Sequence, residues 1–164
     1  VYDPLTLRPD PEGRSSPGYE VRAFRPESEL TERAAAAADA FADAATPPAW
    51  LIDATRRMVE FRKLRSMGES DFVAVTEAGE IAAHAAVVLA PATDAGELEG
   101  VGTRHAHVRR GLARAIALAS LRHMRESGVR HAVVRTEAEN GPAIRLYKSV
   151  GFRVADRLHR YVRP

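Results

Sequence analysis

Apolar and polar positions change period several times along the chain, and each change marks an element. Tyr19 to Phe24 alternates (Tyr-Glu-Val-Arg-Ala-Phe), the period-two signature of a strand with one buried face. An alanine-rich run follows, which Ser28 or Thr31 can cap; alanine is the best helix former, so a helix is predicted to about Ala45, where Pro47 and Pro48 break it. From about Pro48 to Ser66, Leu51, Ala54, Met58, Phe61 and Leu64 recur at three-or-four spacing and predict a second amphipathic helix, stopped by Gly68. Asp71 to Thr76 and Glu80 to Ala90 read as strands joined by a turn at Glu77-Ala78-Gly79-Glu80. After a turn from Pro91 to Gly96, Glu97 to Thr103 is a further strand. Gly111 to about Ser127 returns to helical spacing, with Leu112, Ile116, Ala119 and Leu121 or Met124 inward and Gly128 as the C-terminal cap. His131 to Arg135 is a strand, Asn140 caps a short helix to about Val150, and Phe152–Val154 and Leu158–Val162 close the chain as strands. The order β-α-α-β-β-β-α-β-α-β-β predicts a mixed sheet layered with helices, an α/β or α+β sandwich.

At 164 residues the chain has the length of one domain. Val1 to Gly18, dense in Pro, Gly and Ser, reads as an extended arm or linker, leaving residues 19–164 as the folded unit. A linker at the start, with no methionine before it, predicts a chain cut from a longer protein. No signal peptide is readable, and the longest mostly apolar stretch, Ile81 to Ala92, is far shorter than the ~20 residues of a membrane span; a cytoplasmic protein without membrane contact is expected. The absence of cysteine excludes disulfides, thiolate metal sites and a cysteine nucleophile. No His/Asp/Glu cluster has metal-ligand spacing, so no metal is expected.

The net charge of +2 conceals a split: residues 1–103 hold 10 basic and 18 acidic residues, whereas residues 104–164 hold 14 basic and 4 acidic. Either each half faces a different partner, or the halves interleave in one fold and neutralise each other. The basic half has no aromatic platform beyond Phe152 and Tyr161 and no nucleic-acid-binding module, so nucleic acid is not expected as a partner.

Two segments carry chemistry. In the first, Glu97 to Ala115, a strand leads through a short loop into a helix that begins at Arg109, Arg110 and Gly111, with Arg114 one turn on and nothing acidic between Arg104 and Arg114. A helix start exposes about four unpaired backbone N–H groups and a positive partial charge, and glycine admits a close approach, so phosphate or pyrophosphate is the natural guest. It is neither a P-loop nor a dinucleotide fingerprint. Arg104, Arg109, Arg110 and Arg114 read as one diphosphate cluster. In the second segment Asn140 and Tyr147 stand about two helical turns apart and share a face.

Together these segments resemble the GNAT superfamily of N-acetyltransferases. Val108 to Ala113 resembles its pyrophosphate motif Q/R-x-x-G-x-G/A, and Asn140, Ala143, Tyr147, Gly151 and Phe152 resemble its Asn-x₂-Ala-x₃-Tyr-x₃-Gly-Phe signature. The resemblance implies a mostly antiparallel mixed sheet of about seven strands with helices on both faces, and acetyl-coenzyme A as cosubstrate. It implies that Val101, Gly102 and Thr103 pair their backbone with the pantetheine arm, that Arg109, Arg110, Gly111, Leu112, Ala113 and Arg114 cradle the pyrophosphate, and that Asn140 and Ala143 belong to the pantetheine site. Tyr147 would protonate the departing thiolate. Departures are Val108, where the family usually has Gln or Arg, His105, where proline is common, and Arg135, where some members place a catalytic glutamate. Glu99, which by simple alternation shares a face with Val101 and Thr103, is then the expected general base.

The expected reaction is direct attack of a primary amine on the thioester in a ternary complex, the acceptor being a small molecule or peptide. An acidic rim from the first half would favour a cationic acceptor. The alternative is a non-catalytic coenzyme-A-binding module, one half of a tandem protein; a homodimer or a preceding domain is the expected partner.

Overall fold

The computed structural model describes residues 16–42, 48–64, 71–90 and 94–157. Its elements are β1 (Tyr19–Ala23), α1 (Pro26–Ala42), α2 (Ala49–Leu64), β2 (Phe72–Thr76), β3 (Ile81–Ala90), β4 (Ala95–Thr103), α3 (Leu112–Glu126), β5 (His131–Val134) and α4 (Gly141–Ser149), with one 3-10 turn at His105–His107. The strands form one sheet in the order β1-β2-β3-β4-β5. The first four are antiparallel neighbours, and β5 joins β4 in parallel after the α3 crossover.

The predicted order of elements holds through α4, but the described residues contain five strands where about seven were expected. Phe152–Val154 is not a strand. Phe152 is buried, its ring edge-on to Tyr147 with the ring centres 5.9 Å apart, while Arg153 and Val154 face outward. Held by packing rather than by a neighbouring strand, this segment has no ladder among the described residues. The expected Leu158–Val162 strand and most of the Val1–Gly18 arm lie outside the described residues.

Strand alternation divides the core into two layers. Val73, Val75 and Ile81 pack with Phe24 and with Ala36 of α1 on one face. Ala74, Ala83, Ala85, Val87 and Leu98 pack on the other with Leu112, Ile116, Leu121 and Met124 of α3, and with Tyr147 and Val150 from α4 and its end. Alanine dominates the α1 contact, which lets the helix sit close to the sheet. α3 buries Leu112, Ile116 and both Leu121 and Met124 of the expected face, together with Ala117 and Ser120, whereas the expected Ala119 is only half-buried. Its end is the expected one: Gly128 at φ +80 follows the cap, and Val129 N–H returns to the Met124 carbonyl. Phe61 departs from the expected inner face of α2 and is exposed; Thr55 is buried instead.

Helix α1 starts earlier than its serine and threonine suggested, with Pro26 in the first turn, where its missing N–H costs nothing. Glu29 accepts the Arg25 N–H at 3.0 Å and pairs with Arg22 of β1 at 2.5 Å, tying helix to strand. The hydrogen bond from Arg22 holds the Glu29 carboxyl below its ordinary value of 4.5. A lowered carboxylate pKa stabilises the fold above the unfolded pKa and loses that contribution as pH falls through the folded one. The melting temperature of wild type should therefore exceed that of Glu29→Gln at neutral pH, with the gap closing below about pH 4.5 in a pH series of thermal melts. A gap constant with pH would refute this.

Candidate active site

The sheet opens where the site was expected. β4 pairs with β5 only from Ala95↔His131 to Leu98↔Val134. On its other side β4 runs on against β3 to Ala83↔Thr103, with a register shift between Ala86↔Glu99 and His84↔Gly102. The extra residue is accommodated at Gly100, whose φ of +53 is the left-handed conformation that glycine adopts without strain. Beyond Leu98, β4 has a strand neighbour on one side only among the described residues.

The direction of the free backbone groups follows from one hydrogen bond. Arg104 N–H donates to the Ala82 carbonyl at 2.9 Å, so Arg104, and Gly102 two residues before it, turn their backbone groups toward β3. Val101 and Thr103 turn theirs toward the open edge, where an extended ligand would pair as an added strand. Gly102 contributes differently from the expectation. A Cβ on it would lie 2.8 Å from His84 Nε2 and 2.9 Å from the Ala40 Cβ, so glycine is required there by close packing.

The same bulge corrects the expected placement of Glu99. It stands opposite Ala86, on the α1 face that His84 also occupies, while Val101 packs into the α3-side core. Simple alternation puts Glu99 and Val101 on one face; the extra residue at Gly100 puts them on opposite faces. Glu99 is half-buried beside the open edge.

The loop from β4 into α3 is the expected anion cradle. Arg109 (φ +61) and Gly111 (φ +77) both adopt left-handed backbone, an uncommon state for arginine. Leu112 is buried and anchors the helix start, so its backbone rather than its side chain faces the loop. Ala113 follows in the first turn, Arg109, Arg110 and Arg114 are exposed around the helix start, and Ala115 N–H makes the first intrahelical bond, to Gly111. Ser16, at the end of the arm, donates a hydrogen bond from Oγ to the Arg110 carbonyl, a contact the sequence did not suggest.

Arg104 does not belong to this cradle. Its Nε donates to the Ile81 carbonyl at 2.9 Å, Nη2 pairs with Glu32 of α1 at 2.7 Å, and Nη1 lies 3.6 Å from Glu80. His105 N–H donates to Asp39 at 2.6 Å, and His107 bridges Tyr19 (2.8 Å) and Glu80 (3.3 Å). Across the seam, Arg135 pairs with Glu97 at 2.7 Å. Part of the opposed charge of the two halves is thus spent holding the loop and strands in place. This is the interleaving alternative, and it subtracts Glu32, Asp39, Glu80 and Glu97 from any acidic rim.

On α4, the Asn140 side chain accepts the Ala143 N–H at 3.1 Å as an N-cap, leaving its amide nitrogen without a partner among the described residues. Tyr147, two turns on, is buried to 9% exposure and belongs to the core against which Val101 and Val134 pack. Its hydroxyl has no hydrogen-bond partner among the described residues, and burial raises its pKa above the ordinary 10, keeping the phenol protonated at neutral pH. The arrangement offers an open strand edge, a cationic helix start at one end and a protonated phenol on α4. No helix among the described residues is long and apolar enough to cross a membrane.

Fold and site together offer an open strand edge that leads to a cationic helix start. The chain belongs to the acetyltransferase (GNAT) family, whose profile matches residues 35–152. It is 30% identical over 168 residues to a mycothiol acetyltransferase of Acidothermus cellulolyticus, covering 92% of this chain and 47% of that one. The chain spans about half the length of the curated relatives it matches along most of its own length. In fold it is similar to an acetyltransferase of Trypanosoma brucei (TM-score 0.68, 20% identity, 88% and 99% of the two chains). It is likewise similar to the aminoglycoside acetyltransferase AAC(6')-Iy in complex with a bisubstrate analogue of coenzyme A and acetylneamine (TM-score 0.69, 18% identity, 89% and 98%).

Proposed function

We propose that the chain is an acetyl-coenzyme A dependent N-acetyltransferase that acts on a primary amine. The observation that carries this reading is the β4 edge, which loses its β5 partner after Leu98 and points toward the cradle at Arg109 to Arg114. The backbone of Val101 and Thr103 holds the pantetheine amides; Asn140 and Ala143, at the start of α4, flank the same arm. The first turn of α3 with Arg109, Arg110 and Arg114 holds the diphosphate. Held this way, the thioester meets the amine by proximity rather than by covalent catalysis. Glu99 on the α1 face takes the amine proton, the nitrogen attacks the carbonyl carbon, and Tyr147 gives its proton to the departing thiolate.

Glu32, Asp39, Glu80 and Glu97 are engaged in ion pairs, so any attraction for a cationic acceptor rests on the other acidic residues of the first half, Glu99 at the strand edge among them. The curated relatives make mycothiol acetylation one acceptor chemistry to test, beside a panel of simple primary amines. Titration calorimetry should show one acetyl-coenzyme A site per chain, with affinity falling as salt rises, because the diphosphate contact is ionic. No heat at millimolar ligand would overturn the proposal. A second reading, a binding module without turnover, is favoured by the match to about half of each long relative. It predicts cofactor binding with no thiol released from acetyl-coenzyme A by any amine.

A further inference from the structure

Strand β3 reads Ile-Ala-Ala-His-Ala-Ala-Val-Val-Leu-Ala, and its one polar residue, His84, is 1% exposed. Both ring nitrogens are fully buried and without a hydrogen-bond partner. A buried polar group left unpaired costs stability, so one kept inside an alanine and valine strand calls for a reason. A histidine whose only task was to fill space would be better replaced by an apolar side chain of similar volume.

The surroundings supply one. His84 stands opposite Gly102, and its ring occupies the space that a Cβ at 102 would take, under Ala40 and edge-on to Phe41 at 5.6 Å. The backbone of Ala36 on α1 and of Gly100 on the bulge lies within reach of the ring, though neither carbonyl completes a hydrogen bond. Burial, with the Arg33 and Arg104 guanidiniums nearby, pushes the ring pKa well below 6.5, so the imidazole is neutral, with one N–H to give.

The Gly100–Val101 peptide links this ring to the open edge. In a trans peptide the carbonyl and the N–H point in opposite directions. With the Val101 N–H toward the open edge, the Gly100 carbonyl points back toward β3 and His84. A donor on that carbonyl fixes the peptide plane and, through polarisation along the chain of hydrogen bonds, strengthens the N–H on the far side. An N–H so aimed is what a thioester carbonyl needs as negative charge builds on its oxygen.

We propose that His84 is a positioning residue of acyl transfer: when the acetyl group binds, its ring N–H closes onto the nearby Gly100 carbonyl, a hydrogen bond not made in the ligand-free chain, and so aims the Val101 N–H at the carbonyl oxygen of the acetyl group. The inference rests on the acetyl-coenzyme A reading above. It separates from a merely structural role by comparing two ligands, since coenzyme A lacks the carbonyl that acetyl-coenzyme A presents. In His84→Phe, calorimetry should show acetyl-coenzyme A affinity reduced about five- to tenfold, the scale of one hydrogen bond, with coenzyme A affinity within about twofold of wild type. His84→Gln, which keeps a side-chain N–H, should recover part of the loss. In wild type, the ring ¹⁵N–H proton of His84 should move downfield on adding acetyl-coenzyme A and stay in place with coenzyme A. The NMR arm decides the matter even where a variant does not fold. Equal losses for both ligands in His84→Phe, or an unmoved ring signal, would overturn the proposal. Wild type that binds neither ligand would instead overturn the acetyl-coenzyme A reading itself.

Discussion

Tyr147→Phe is expected to lower turnover by about a hundredfold or more while acetyl-coenzyme A affinity stays within about twofold. The substitution removes one oxygen and keeps the ring that packs edge-on against Phe152, so the core of α4 is preserved. The hydroxyl makes no hydrogen bond among the described residues whose loss would weaken the fold. Burial holds its pKa up, which leaves it protonated and able to donate as the thiolate forms. Turnover is read from release of the coenzyme A thiol with an accepted amine, affinity by calorimetry, and fold by a melting temperature near that of wild type. Unchanged turnover would remove Tyr147 from the chemistry, and a parallel fall in affinity would make it a binding residue. If neither protein turns over any amine yet both bind the cofactor, the binding-module reading takes its place.

The second large effect is expected from Gly102→Ala. The added methyl would sit 2.8 Å from His84 Nε2 and 2.9 Å from the Ala40 Cβ, closer than van der Waals contact allows. Both neighbours are held, His84 in the middle of β3 and Ala40 on α1, so relief requires β4 or α1 to move. Overpacking of this kind costs about 1–3 kcal/mol, several degrees of melting temperature in a domain of this size. Because the strand that moves carries Val101 and Thr103, acetyl-coenzyme A affinity should fall as well. Removing the first clash in the double variant His84→Ala/Gly102→Ala should restore part of the stability, a positive coupling measurable by a double-mutant cycle. A Gly102→Ala protein with wild-type melting and wild-type affinity would show that the strands have room to spare.

How much of this was legible in sequence depended on how local each cause is. The hairpin at Gly79, the stop of α3 at Gly128 and the Asn140 cap of α4 are each decided within a few residues, and each stands where the pattern put it. The α3 core face followed from its period. The candidate residues Arg109 to Arg114, Asn140 and Tyr147 could be singled out because they lie on contiguous motifs. Val101 and Thr103 were expected on the face of Glu99 and stand on the other one, because one extra residue in a strand reverses every later side chain, and nothing short of the partner strand reveals a bulge at Gly100. Arg104 was counted with the cradle because it is near Arg109 in the chain. Its partners Glu32 and Glu80 are near it only in space.

The sequence by itself determined the order of elements through α4, the helix start rich in arginine and the two motifs that mark the family. These are properties of short stretches, written in spacing and residue type. The tertiary structure decided which charges were already paired, which face Glu99 occupies and why residue 102 has to be glycine. It also brought His84, one histidine in an apolar strand, under the bulge whose Gly100 carbonyl lies within reach of its ring. Those facts depend on contacts between elements far apart in the chain, where packing and register, rather than local preference, set the geometry.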